Sequence, residues 1–337
     1  MAITKITDII EPAIFLKYSK EYTPEKLDII NSAMFGNTLP ELTSQMSSGG
    51  STIDVPFWQD TSRVEPNALT DDDTILSTPL KITATKMTAR KLFWGQSWQQ
   101  ADLAGAFATG NTNDPLKSIV DYTENYWTRI AQITVIKMAD GVLASNVANN
   151  AADMRYSIYS DVASPAASNK ISPAALTSVR LTLGEMMSDL KTIVMHSKVY
   201  GDALNQEAIT FVRPSQLPFD IPMFAGMQVV VSDDCTVTTG TNSPKYRSYL
   251  FGAGSWQKVI HFPETPVETF RDPNKGNGGG VATLYHRRHA LFHPLGFRFT
   301  SASVAGKSPT WAELGTATNW TRQYQRKNCK IAYLETN

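Results

Sequence analysis

The chain of 337 residues has little of what most function classes need. It holds two cysteines, Cys235 and Cys329. That is too few for a disulfide framework, and their spacing fits no zinc ribbon, so they read as ordinary thiols in a reducing cytoplasm. Charge of one sign is not in excess: Lys plus Arg and Asp plus Glu number 31 each. A protein that coats nucleic acid through phosphate contacts carries a basic surplus, so direct wrapping of DNA is not its main task. A balanced charge does suit a chain that packs against many copies of itself, because long-range self-repulsion is gone. No run of about 18 apolar residues occurs, which argues against a helical membrane span. Asp8, Glu11 and Pro12 interrupt the first apolar stretch, so no signal peptide is expected. An apolar content of 42% with 18% charged residues still describes a folded chain, and the length predicts two domains or one elaborated domain.

The motifs of chemistry are missing too. Pro273-Asn-Lys-Gly-Asn-Gly-Gly-Gly280 lacks the order of a phosphate loop and reads as a flexible surface loop. Gly252-Ala-Gly-Ser255 does not place serine between the two glycines, as a nucleophile elbow requires. His286, His289 and His293 look metal-like, but strand alternation puts His286 and His289 on opposite faces, with no acid or cysteine in the segment to complete a site. No catalytic residue, cofactor or metal is therefore expected.

What is present is a sequence of unlike stretches. Residues 1–49 read as an arm with short helices, one opened by Thr23-Pro24 as N-cap and first helical residue, with Leu27, Ile30 and Met34 on one face. Residues 50–96 read as a long extended loop. Ser51–Trp58 is a strand, an acidic turn-rich stretch follows through Asp71-Asp72-Asp73, and a second extended run goes from Thr78 to Trp94. A two-stranded ribbon is marginal alone in water and needs something to lie on. Its tip is acidic and its far limb carries Lys81, Lys86, Arg90 and Lys91. Laid on an identical neighbour, it offers heterologous charge pairs. Asp71, Asp72, Asp73, Lys81, Lys86, Arg90 and Lys91 are thus candidate subunit contacts.

Helical patterns follow. A short helix is expected from Ser97 to about Gly110. A long one, about 115–144, opens at Asp114-Pro115 and is marked by Ile119, Tyr122, Tyr126, Ile130, Ile133 and Met138. At about 1.5 Å per residue it is a ~45 Å beam. Residues 145–170 read as surface loop, and Ser172-Pro173 opens another helix. The remainder alternates short β runs with Gly, Pro and Asn, so the class is α+β.

This order, together with Gly49-Gly50-Ser-Thr-Ile-Asp-Val-Pro-Phe-Trp-Gln-Asp60, Asp114-Pro-Leu leading to Tyr126-Trp127, Ile193–Gly201, Gly226–Asp234, Tyr249–Gly254, Glu268–Asp272 and Arg287–Phe297, resembles the major capsid proteins of tailed bacteriophages. The resemblance spans nearly the whole chain, and order and spacing carry it. It implies the Hong Kong 97-like capsid fold: an N-terminal arm (1–49), an extended β-loop (50–96), a peripheral domain with a spine helix (97–192 and 281–337) and an axial domain (193–280). It further implies pentamers and hexamers of this chain in an icosahedral head, enclosing double-stranded DNA without sequence-specific binding. Portal, a separate scaffolding protein and a decoration protein are the implied partners. The implied place is the virion head, assembled in the bacterial host cytoplasm. Three other readings compete: an encapsulin-like nanocompartment shell, a His-ligated metalloenzyme, and a tail-tube protein, against which the long helix argues.

Overall fold

The computed structural model describes residues 28–36, 39–60, 64–72, 74–107, 115–212 and 221–337. The Thr23-Pro24 helix start, Asp114 and Asp73 lie outside the described residues. In chain order the elements are α1 (Pro40–Gln45), β1 (Thr52–Trp58), β2 (Ala84–Arg90), β3 (Leu92–Ala101), α2 (Asp102–Phe107), α3 (Pro115–Asn149), β4 (Arg155–Ser157), α4 (Pro173–Leu181), β5 (Leu190–Met195), α5 (Ser197–Asn205), β6 (Ile209–Val212), β7 (Ile221–Phe224), β8 (Met227–Val231), β9 (Val237–Thr239), β10 (Pro244–Gly252), β11 (Trp256–His261), β12 (Val267–Asp272), β13 (Val281–Pro294), β14 (Phe297–Phe299), α6 (Trp311–Leu314), β15 (Trp320–Arg322) and β16 (Ile331–Thr336).

The long helix forms as the spacing predicts and runs further, to Asn149. At 35 residues it spans ~52 Å. From Ala131 onward it is buried almost all round, with Ala131, Val135, Met138, Ala139 and Val142 in the main core beside Tyr249, Phe251, Trp256, Phe292, Trp320 and Tyr333. A helix that is covered on every side needs no polar stripe. At Gly141 it approaches its neighbours closely: a Cβ there would collide with the Leu314 carbonyl and the Trp320 indole. Helix α4 starts as expected, with the Ser172 hydroxyl accepting from the Ala175 N–H (3.2 Å) and Pro173 in the first turn.

Two sheets flank this helix. The larger has eight strands in the order β4-β16-β10-β5-β8-β7-β6, with β9 beside β10. Its second core joins Leu176 and Val179 of α4 to Ile193, Met195, Phe224, Val229, Leu250 and Leu334. The smaller is built on β13, which pairs with β3 along one edge and with β11 and β12 along the other. β13 unites two runs, Val281–Tyr285 and Ala290–Phe292, that the sequence presents as separate; the intervening His-Arg-Arg-His is simply the polar part of one strand.

Other expectations are corrected. Strand β3 extends to Ala101, where a helix was expected from Ser97, because its ten residues pair with β13 in continuous register. Residues 74–83 form no strand, and the second limb of the ribbon begins only at Ala84. Sheet membership also cuts across the boundary expected at 280. Strands β11 and β12 pair with β13, whereas the C-terminal β16 lies between β4 and β10 in the larger sheet. Among the described residues no helix is long and apolar enough to cross a membrane.

Candidate subunit-contact surface

The ribbon is the element with the least support from its own chain. β1 and β2 pair antiparallel over seven residues, Thr52 opposite Arg90 and Trp58 opposite Ala84. Near the base, β2 is buried from Met87 to Arg90. Beyond the paired segment, the described residues between 59 and 83 carry no strand, and nearly all are exposed. Apolar side chains stand in water there: Leu69 is 100% exposed and Leu76 86%, with Trp58, Val64, Ile75, Leu80 and Ile82 also exposed. An extended segment with this many uncovered apolar groups is a candidate contact surface.

The contact candidates fall into two groups. Asp71, Asp72 and Lys81 are exposed. Asp72 is held by its own turn, its carboxylate accepting from the Thr74 N–H (2.9 Å) and hydroxyl (2.7 Å), which keeps its pKa below the ordinary carboxylate value. Lys86 lies across the strand pair from Asp54 at 2.6 Å, with the Thr88 hydroxyl on the other Asp54 oxygen. Partial burial pushes the Asp54 carboxyl up, but Lys86 and Thr88 outweigh it and hold it low.

Arg90 and Lys91 are committed to their own chain instead. Arg90 is 9% exposed and donates to the carbonyls of Lys307 (2.7 Å) and Gly306 (3.3 Å). Lys91 is 1% exposed, and its ammonium donates to Gln45 O (2.7 Å), Met46 O (3.3 Å) and Ser48 O (2.7 Å). Three donors meet three acceptors at the C-terminal end of α1. Around this clasp, Leu42 of α1 and its C-cap Met46 pack with Ile53, Ala89, Val259 and Leu291 in a small separate core. Helix α1 and the ribbon base therefore sit on the smaller sheet as one piece. The sequence shows Lys91 as one more basic residue of the limb. Nothing in it reveals the three carbonyls, which come from a segment more than 40 residues away.

The apolar tip is the part that charge-based reading misses. Its signal is Ile75-Leu76 and Leu80 set in a stretch otherwise rich in Asp, Thr, Ser and Pro.

The histidines are not gathered. His286 accepts from the Trp127 indole N–H (3.0 Å), while His289 meets Phe93 edge-on and lies near His261. His293 is buried, which pushes its pKa down to about 4. Among the described residues no three His, Cys, Asp or Glu side chains converge to hold a metal ion.

A buried polar network ties the beam helix to the larger sheet. Asp140 accepts from Arg247 (2.6 Å), Tyr249 (2.8 Å) and Thr236 (2.5 Å), and Arg247 also reaches Glu335 (3.0 Å). Burial pushes the Glu335 carboxyl up, but Arg247, Lys245 and Arg155 hold it below the ordinary range. These residues are locked among one another and offer no reacting group. Both cysteines are buried and free, and burial raises Cys329 to about 11.

Comparison with known proteins agrees with this architecture. No protein-family model matches the chain. The major capsid protein of Bacillus phage SPP1 is 32% identical over 335 residues, 98% of this chain and 97% of that protein. The capsid of Ralstonia phage GP4 superposes with a TM-score of 0.58 at 10% identity, covering 96% of this chain and 95% of that one. The capsid of Cyanophage Pam1 gives 0.56 at 11% identity, covering 95% and 94%. The chain belongs to the major capsid proteins of tailed bacteriophages and shares their fold; it is a structural protein of an icosahedral head and not an enzyme.

Proposed function

We propose that this subunit tiles the head as pentamers and hexamers around packaged double-stranded DNA, and that the ribbon beyond residue 58 crosses to an adjacent copy. The observation that carries this reading is the apolar tip, with Leu69 and Leu76 wholly or largely uncovered in the single chain. Burial of apolar area at about 25 cal/mol per Å² supplies the strength of such a contact. Asp71, Asp72 and Lys81, each good for about 0–1 kcal/mol, set register. Repetition around a closed shell multiplies small terms into a stable particle. Arg90 and Lys91 act inside the subunit in this reading, as anchors of the ribbon base.

The peripheral unit then comprises α3 and the sheet on β13, and the axial unit the eight-stranded sheet with β16. The arm before residue 50 follows the ribbon, since α1 is clasped to its base. The balanced charge of the chain fits a shell that encloses DNA without gripping it by sequence. Portal, a separate scaffolding protein and a decoration protein complete the particle, which assembles in the host cytoplasm.

Electron microscopy of the expressed chain, alone and with a candidate scaffolding protein, tests this. Closed shells are expected from the natural chain. Leu69→Ser combined with Leu76→Ser is expected to abolish them while leaving a folded subunit. A compact monomer that persists at high concentration, with residues 64–83 protected from protease, overturns the reading.

A further inference from the structure

The glycine-rich turn between β12 and β13 has no part in the contacts described above, and it holds the chain's one Asn-Gly pair, Asn277-Gly278. We infer that Asn277 is a self-modification site, at which the backbone nitrogen of Gly278 converts the side-chain amide to an acid and leaves part of the product as isoaspartate. Three features of the turn favour this. Asn277 is exposed, and among the described residues neither its side chain nor the Gly278 N–H makes a hydrogen bond, so neither reacting group must first be released. Gly278 carries no side chain to crowd its nitrogen, and the space where a Cβ would stand is open. The turn lies in the left-handed region at Gly276 (φ 68°), Asn277 (57°), Gly278 (89°) and Gly280 (89°), and three of these four are glycines, for which this region is costless and readily left.

The chemistry balances without any co-reactant but water. The Gly278 nitrogen gives up its proton and attacks Asn277 Cγ. A C–N bond forms, the bond to the side-chain nitrogen breaks, and ammonia departs with the proton. The resulting five-membered imide takes up water at either carbonyl and opens to aspartate or to isoaspartate. Isoaspartate adds one methylene to the main chain between Gly276 and Gly279, where the Gly279 N–H closes on Gly276 O (3.1 Å) and the Gly280 N–H on Lys275 O (2.9 Å). Lengthening the path strains both closures. Gly280 transmits the change, since it is buried against the Arg271–Asp102 ion pair, its Cβ position lying 2.6 Å from Asp102 Oδ2, and its carbonyl accepts from the Asp102 N–H (3.0 Å). Each conversion also adds a negative charge at the tip of this hairpin.

The molecule carries its own control. Asn242 precedes Ser243, another small residue, but there both partners are tied: the Asn242 side chain donates to Asp161 O (3.1 Å) and the Ser243 N–H to Asp161 Oδ1 (3.1 Å). Peptide mapping by mass spectrometry of the purified chain aged at mildly alkaline pH tests the inference, with isoaspartyl methyltransferase as the probe for the rearranged product. Conversion at Asn277 is expected to exceed that at Asn242 by well over tenfold, because the Ser243 side chain crowds its nitrogen and a hydrogen bond must also be broken there. The rate is expected to climb with pH, since the attacking nitrogen must lose its proton. Gly278→Ala is expected to slow it on the order of tenfold by crowding that nitrogen. If Asn242 converts as fast as Asn277, or conversion at Asn277 yields no methyltransferase signal, the inference fails, whatever Gly278→Ala does to the fold.

Discussion

The two halves of the extended loop invert the usual rule of burial. Along residues 64–83 the apolar side chains face water, with Leu69 fully exposed; at 90–91 two charged ones are inside, Arg90 at 9% and Lys91 at 1%. Hydropathy alone would exchange them. The difference lies in the partners each half can reach. Lys91 has three backbone carbonyls at 2.7–3.3 Å, and a fully paired ammonium tolerates burial. Among the described residues nothing covers Leu69 or Leu76, and in the proposed reading an adjacent copy does. A subunit built this way has a firm root and an unfinished tip.

Breaking the root is expected to have the largest effect. Lys91→Ala removes one donor from each of three carbonyls, Gln45 O keeping its bonds from Ser48, and opens a gap beneath α1, so about 3 kcal/mol of subunit stability should be lost, read by denaturant unfolding. Hydrogen exchange should quicken in 40–48 and 84–90 together, with 190–252 unchanged. If α1 alone loosens, the arm and the ribbon base are not one piece.

Acid tests the sheet face beneath the root. His293 shares a strand face with Leu291 of the small core and lies opposite Gln257, whose side chain accepts from the Leu39 N–H (2.9 Å). Its folded pKa of about 4 lies below its ordinary 6.5. The unfolded chain therefore binds more protons between these values, and stability falls as pH drops from about 6.5 toward 4, by about 3 kcal/mol in the limit. His293→Leu should flatten that part of a pH–stability profile; an unchanged slope would assign the acid sensitivity elsewhere.

Smaller effects are expected toward the tip. Lys86→Ala removes a half-exposed pair with Asp54 and should cost under about 1 kcal/mol. Leu69→Ser with Leu76→Ser should shift the unfolding of the free subunit by less than about 0.5 kcal/mol, since neither side chain is covered there. A large loss of subunit stability from this pair would mean the tip folds onto its own body, and the contrast between root and tip would vanish.

Much of this was legible beforehand, and the reasons differ by element. The beam helix announces itself through apolar residues at helical spacing after Asp114-Pro115, and α4 through the Ser172-Pro173 start. Both signals are local. Ser97–Gln100 has helix-compatible composition, and only pairing with β13 makes it strand. Lys81, Lys86, Arg90 and Lys91 read as one basic limb, yet two are anchors, because their carbonyl partners come from segments far along the chain.

By itself, then, the amino-acid order determined the long helix, α4, many of the strands and the family, since these rest on spacing between near neighbours or on matching order along the whole chain. Tertiary structure alone decided which charges are buried, which strands share a sheet and where the ribbon stops being supported. Those depend on groups brought together from distant segments, and a hydrogen-bond acceptor contributed by the backbone leaves no mark in the identity of the residue that carries it.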